Sequence, residues 1–295
     1  MNDMDFKKIL DNISTDFPIA LTGCRAENIH HVCCDYNIIV FDQTHDNDSV
    51  IEIDNEFVRL HHGDLNETRI EFLNKYQNLE ILSDPKWELK IFLSKIKEKK
   101  VSILRACCKK YIIESQICIT KAKDGLNTSD SYTSCWLKSA AYFLVDSILL
   151  LNNKNPFPVH ILDTIRNLKN NKNNNSLSLV TEYIGLERST TSLLTRMLKS
   201  TQGFSDMIEK NNHSKIIQKK SEFLISNSLF TDCYLYLGYI NRNNFYKIRN
   251  SIQKTPEFYH ILKTAFDLEN DTTKIESQLK VLSDISNDLL KNSNF

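Results

Sequence analysis

The residues best equipped for chemistry cluster in one stretch, Leu21 to Asp42, which reads LTGCRAENIHHVCCDYNIIVFD. A Gly23-Cys24 turn follows a short β-like run, and Arg25 comes two residues after the glycine. A guanidinium there suits phosphate, which it can grip with two parallel N–H donors. Twelve positions after Gly23 stands Asp35, at the start of an apolar run, with Asn37 two residues on. Residues i and i+2 of a strand share a face, so Asp35 and Asn37 point to one side. His30, His31, Cys33 and Cys34 fall in the same stretch, and His61 and His62 lie downstream. These are transition-metal ligand types. Adjacent residues on an extended chain point opposite ways, however, and no CxxC or HxxxH spacing is present, which argues against zinc.

The elements that must hold these residues follow from periodicity. Phe6, Ile9, Leu10 and Ile13 recur with a helical period, and Phe17 to Leu21 reads as a short strand ending at Thr22-Gly23. Tyr36 to Phe41 is β-branched and aromatic and apolar on both faces, the pattern of a buried central strand. Two further strands, 50–53 and 57–60, flank Asp54-Asn55, a pair suited to a tight turn. A helix over 65–76 and a last extended segment near 78–82 complete this part.

At Ser83-Asp84-Pro85 the pattern changes. Asp84 can cap a helix and Pro85 suits a first turn. The apolar spacing predicts one long helix from Trp87 to about Lys123, ended by Asp124-Gly125, and a second over 131–151. A third helix over 159–168 makes an antiparallel bundle. The polar run Lys169 to Asn175, KNNKNNN, reads as a linker. Beyond it helical periods cover 177–186, 190–207, 215–229, 233–252, 257–266 and 273–290, with no repeat at fixed spacing.

Composition narrows the classes. Lys+Arg and Asp+Glu both number 37, so net charge does not indicate a nucleic-acid partner. Six glycines and five prolines are too few for an all-β chain of 295 residues. The first residues, MNDMDFKKIL, lack the apolar core of a signal peptide. The most apolar stretch, Ala140 to Leu151, is interrupted by Asp146 and too short to cross a bilayer. These features predict a cytoplasmic protein with no membrane partner. The eight cysteines then read as small buried hydrophobes. Clusters such as Lys97 to Lys100 read as solvated helix faces. The aromatic stretch Tyr234 to Arg249 could stack bases, but its three- and four-residue spacing suits a helical core.

The segment from Gly23 to Asn37 resembles the nucleotidyltransferase superfamily, whose polymerase-β-like fold carries Gly-Ser, then about ten residues, then Asp-x-Asp on a strand. The kanamycin-type and minimal members follow that module with a helical bundle, and WLKSAAYFLVDSILLLNN and PFPVHILDTIRNL resemble it. The resemblance covers roughly residues 15–168. It implies that the Gly23 turn, with Cys24 and Arg25, faces a nucleoside triphosphate. It also implies that Asp35 and Asn37 hold Mg²⁺, with a third carboxylate from a later strand. The pattern departs in three places. Cys24 stands for the usual serine. Asn37 stands for the second aspartate and brings a carbonyl oxygen but no charge. The strand expected to supply the third carboxylate offers Arg59 and His61, with Glu56 only at its edge and Glu52 on the strand before.

The resulting expectation is an α+β protein. A small mixed-sheet nucleotidyltransferase-like domain spans 1–84, a helical bundle 85–170, and a further all-α domain 176–295, whose helices could dock a protein partner. If active, it would transfer a nucleoside monophosphate from a triphosphate to an acceptor. The alternative is a catalytically degenerate fold serving as a nucleotide-sensing or partner-binding module. Glu52 or Glu56 beside Asp35 would favour the first; Arg59 or His61 there would favour the second.

Overall fold

The computed structural model describes residues 6–13, 15–44, 48–209 and 212–292. Its contacts divide the chain into two compact units. One is Met1–Ile103 with Asn211–Ile216; the other is Leu104–Lys210 with Ile217–Phe295.

The first unit is an α/β module. Helix α1 (Phe6–Ile13) precedes strands β1 (Ile19–Thr22), β2 (Tyr36–Val40), β3 (Ser49–Ile53) and β4 (Glu56–His62). Helix α2 (Ile70–Tyr76), strand β5 (Glu80–Ser83) and helix α3 (Glu88–Glu98) follow. The five strands form one mixed sheet in the order β3-β4-β2-β1-β5. Only β2 and β4 run parallel, with Asn37 opposite Arg59 and Ile39 opposite His61. The β3–β4 hairpin turns at Asp54 and Asn55, both at positive φ, as a tight primed-type turn needs.

Side-chain alternation gives the sheet two buried faces, as the apolar pattern of β2 requires. On one face Ile19, Leu21, Tyr36, Ile38 and Val58 bury against Ile9 of α1. On the other, Ala20, Ile39 and Phe41 bury against Tyr76, Leu89, Ile96 and Ile103. Asn37, Arg59 and His61 fall on this second face by register.

The second unit is helical. Helix α4 (Lys100–Thr128) leads into it, followed by α5 (Thr133–Leu151), α6 (Ile161–Arg166), α7 (Leu177–Ile184), α8 (Thr191–Ile208), α9 (His213–Ser226), α10 (Phe230–Ile248), α11 (Phe258–Ala265) and α12 (Thr272–Asn292). Helix α5 is long and apolar enough to cross a membrane, yet it is buried from Thr133 to Leu150. It packs against α7, α10 and α12 as the core helix of its unit. Gly238 of α10 lets Tyr142 of α5 come close: a Cβ there would sit 1.9 Å from the Tyr142 hydroxyl. The aromatic stretch of α10 is core, with Tyr234, Tyr236 and Phe245 buried.

Two expectations need correction. The single helix from Trp87 to Lys123 is two, α3 and α4, separated at Lys99, whose backbone leaves the helical region at φ −98°, ψ 10°. No Pro or Gly marks that break; the α3 stripe Leu89, Phe92, Leu93 and Ile96 packs on the sheet, and Ile103 in the first turn of α4 joins the same cluster. Gly125 does not end α4, which continues to Thr128 before Ser129 adopts φ +55°. Its hydrogen instead makes room for Thr133, whose hydroxyl would lie 2.4 Å from a Cβ at this position.

The asparagine run at 169–175 is ordered by its own side chains. Asn152 donates to Asn174 Oδ1 at 2.7 Å and accepts from Asn171 Nδ2 at 2.8 Å. Asn171 also caps the short 3₁₀ turn Lys172–Asn174. Helices on both sides of the run, α5 before it and α7 and α10 after it, pack together within the second unit.

Candidate functional site

The site begins where β1 ends. Gly23 takes φ +82°, the left-handed region that costs glycine nothing. The backbone then makes a compact turn: the Glu27 amide donates to the Gly23 carbonyl at 3.3 Å and the Ile29 amide to that of Cys24 at 3.0 Å. Thr22 pairs with Asn37 across the sheet, so the turn lies over Asn37. A Cβ on Gly23 would be 3.4 Å from Asn37 Nδ2.

Arg25 folds back into this loop. Its Nε and Nη2 both donate to the Cys34 carbonyl, at 3.0 and 2.7 Å, and its guanidinium stacks 3.8 Å above the Tyr36 ring. The fork that suited a phosphate is thus used to close the 24–34 loop, and Arg25 is buried. Cys24, Cys33 and Cys34 are buried and not joined in disulfides.

Asp35 and Asn37 occupy the shared face that alternation required. Asp35 is only 3% exposed, and its Oδ2 lies 3.4 Å from Arg59 Nε. Asn37 Oδ1 lies 3.2 Å from His61 Nε2, and the other ring nitrogen of His61 is 2.8 Å from Asp48 Oδ2. A row of paired polar groups therefore runs across β2 and β4: Asp35 with Arg59, then Asn37, His61 and Asp48. Burial pushes the His61 pKa down, and the Asp48 hydrogen bond and charge only partly restore it; Arg59 and Lys75 add to the depression. Asp48 is raised by burial, but His61, Arg59 and Lys75 outweigh this and hold its carboxyl below the usual value.

The remaining candidates sit apart. Glu52 is exposed on β3, paired with Phe57 across β4. Because β4 separates β3 from β2, the Glu52 and Asp35 backbones are two strand spacings apart, roughly 10 Å. Glu56 opens β4 opposite Ile53. His62, on the opposite face from His61, binds Asp42 Oδ2 at 2.8 Å and anchors the segment after β2, with Thr44 as a third member.

This arrangement does not fit a Mg²⁺ pair. Each carboxylate lost from such a site removes charge that would offset the triphosphate. Here the cation facing Asp35 is a guanidinium, which cannot lose its charge, and the group facing Asn37 is an imidazole already committed to Asp48. The sequence offered Arg59 and His61 as residues of the β4 strand. Asp48 was missed, because a loop aspartate in DNDS carries no periodic signal; only the pairing of β3 with β4 brings it to His61.

No protein-family model matches the chain, and no curated protein matches it. Among solved structures, a nucleotidyltransferase-like protein from Exiguobacterium sibiricum 255-15 aligns at 12% identity and a TM-score of 0.36, covering 86% of this chain and 89% of that one. A likeness of that degree leaves the site to be judged on its own side chains. In this α+β protein they set Asp35 beside the Arg59 guanidinium and Asp48 against His61.

Proposed function

We propose that the α/β unit is a nucleotidyltransferase-like module that binds nucleotide without transferring it. The observation that carries this reading is the Arg59 guanidinium against Asp35, in the place where a third carboxylate and its metal would have to be. The Gly23 turn supports the nucleotide half of the reading. Its positive φ and bare Cα leave the backbone approachable beside Asn37, as a phosphate-facing turn needs. The transfer reading would need Glu52 or Glu56 beside Asp35, and Arg59 takes that contact.

Two measurements test the proposal together. Incubation with radiolabelled nucleoside triphosphates and Mg²⁺ or Mn²⁺ should release no pyrophosphate. Calorimetric titration with a non-hydrolysable ATP analogue should show binding that chelation of divalent ions leaves unchanged. Sustained pyrophosphate release would overturn the loss of catalysis. The absence of any nucleotide binding would overturn the nucleotide role.

A further inference from the structure

One surface lies outside the site described above. Helix α3 buries Leu89 and Ile96 against the sheet. Its opposite face should be uniformly polar if it only met water. Instead it carries Trp87, 60% exposed, and Ile91, 55% exposed, one turn apart. Trp87 also holds a left-handed backbone, φ 63° and ψ 14°, which is a true outlier for a bulky residue. The Asp84 carboxylate fixes that turn by accepting the Leu89 and Lys90 amides at 3.3 and 2.9 Å. The tryptophan is thus held outward by the backbone beneath it.

The charge around this seam is one-sided. Lys86, Lys90, Lys95, Lys97, Lys99 and Lys100 face only Glu88 and Glu98 over the same stretch, and all are exposed. None of the six lysines forms an ion pair among the described residues. Lys90 places its ammonium 4.1 Å over the Trp87 ring. At 100° per residue, Lys90 and Lys97 lie on one side of the Trp87–Ile91 seam; Lys95 lies on the other, beside Glu88, and Glu98 falls on the line of the seam two turns on. The whole chain carries no net charge, so this cationic strip is local.

We propose that the outer face of α3 docks on an anionic lipid surface. Charge complementarity selects the occupant: six lysines against two glutamates surround an apolar seam, and the side that carries Lys90 and Lys97 holds no acid. Their stems can lie along the apolar boundary while their heads stay among the phosphates. The seam is the convex side of a helix, which suits a flat interface. Tryptophan is the side chain that prefers the boundary between headgroup and acyl chain. Such contact requires no spanning segment, and it does not depend on the nucleotide reading.

The test uses the full chain and sedimentation with two sets of vesicles, pure phosphatidylcholine and phosphatidylcholine mixed with phosphatidylserine. Binding should appear only with the serine lipid and fall as salt rises. Trp87 emission should shift to the blue on binding, while Trp136, already buried, stays unchanged. Replacing Lys90→Gln, Lys95→Gln and Lys97→Gln should weaken binding by roughly fivefold per lysine. Trp87→Ala with Ile91→Ala should weaken it at every lipid composition. Both sets alter exposed side chains, and circular dichroism confirms folding. No binding to either vesicle, or binding indifferent to both sets, overturns the proposal. Trp87-dependent binding to single-stranded DNA without vesicle binding overturns it too and reassigns the strip to nucleic acid.

Discussion

Replacing Arg242 with methionine should destabilise the helical unit in a pH-dependent way. Arg242 Nη1 lies 2.5 Å from Asp146 Oδ2, and their side chains are 4% and 0% exposed. The guanidinium also stacks 4.5 Å from the Phe143 ring and 4.1 Å from that of Tyr239. Asp146 Oδ1 meets no hydrogen-bond donor among the described residues. Burial already pushes the Asp146 pKa up, and Arg242 is the main force holding it down. Methionine preserves much of the stem's packing but removes that force, so Asp146 must either stay charged without a partner or bind a proton. Protonating a carboxyl at pH 7, from an unfolded pKa near 3.9, costs about 4 kcal/mol. That falls inside the range of about 3–5 kcal/mol for breaking a buried pair. At pH 5 the same protonation costs only about 1.5 kcal/mol. The Arg242→Met penalty should therefore shrink on acidification. The double variant Asp146→Leu/Arg242→Met, with no buried charge, should recover most of the loss. Urea unfolding followed by Trp136 fluorescence reads this locally, since Trp136 of α5 packs 4.8 Å from Phe245 of α10. A penalty below about 1 kcal/mol, or one equal at pH 5 and pH 7, would refute the reasoning.

Four further outcomes are expected. His61 and Asp48 both have depressed pKa values in the folded chain, so on acidification protons go first to the unfolded chain. Stability present above about pH 6.5 should be lost as pH falls through that value, and His61→Gln should flatten the slope of urea midpoints between pH 7.5 and 5. Lys138 is pushed down to about 7, by burial first and partly opposed by Asp267, although its ammonium donates to Tyr234 Oη and the Phe266 and Asp267 carbonyls. The unfolded chain then holds more protons above pH 7, so stability should rise from pH 7 to 9, and Lys138→Met should abolish that rise in thermal melts. Asn37→Asp alone should bind no Mn²⁺ by calorimetry while Arg59 remains, and Asn37→Asp/Arg59→Ser should bind it; Mn²⁺ binding by the single variant would refute the blocking role of Arg59. Gly23→Val should cost about 1–3 kcal/mol in urea unfolding, because a β-branched residue is strained at φ +82°; an unchanged midpoint would remove the strain argument.

Local signals gave most of the elements their positions. The β-branched, aromatic run at 36–40 and the Asp54-Asn55 turn marked β2 and the β3–β4 hairpin from their own residues. The helices beyond the asparagine run fell close to their apolar periods, as α8, α10 and α12 illustrate. Periodicity works for α8 and α12 because each buries one stripe, whereas α10 is buried without a break from Asp232 to Arg242 and is marked by its apolar and aromatic density. The break at Lys99 and the passage of α4 through Gly125 escaped, since neither depends on the intrinsic preference of the residue concerned.

At the site, the sequence determined the shared face of Asp35 and Asn37 and the freedom of Gly23, because strand alternation and a missing Cβ are local facts. It also raised Arg25 as a phosphate ligand, which a sequence can do only by chemical type. The tertiary structure decided which partner each polar group meets. Parallel pairing of β2 with β4 set Arg59 against Asp35, the β3–β4 hairpin brought Asp48 to His61, and loop closure spent Arg25 on the Cys34 carbonyl. A charged side chain declares its chemistry alone, but whether it binds a ligand or neutralises a neighbour depends on which strand is paired beside it.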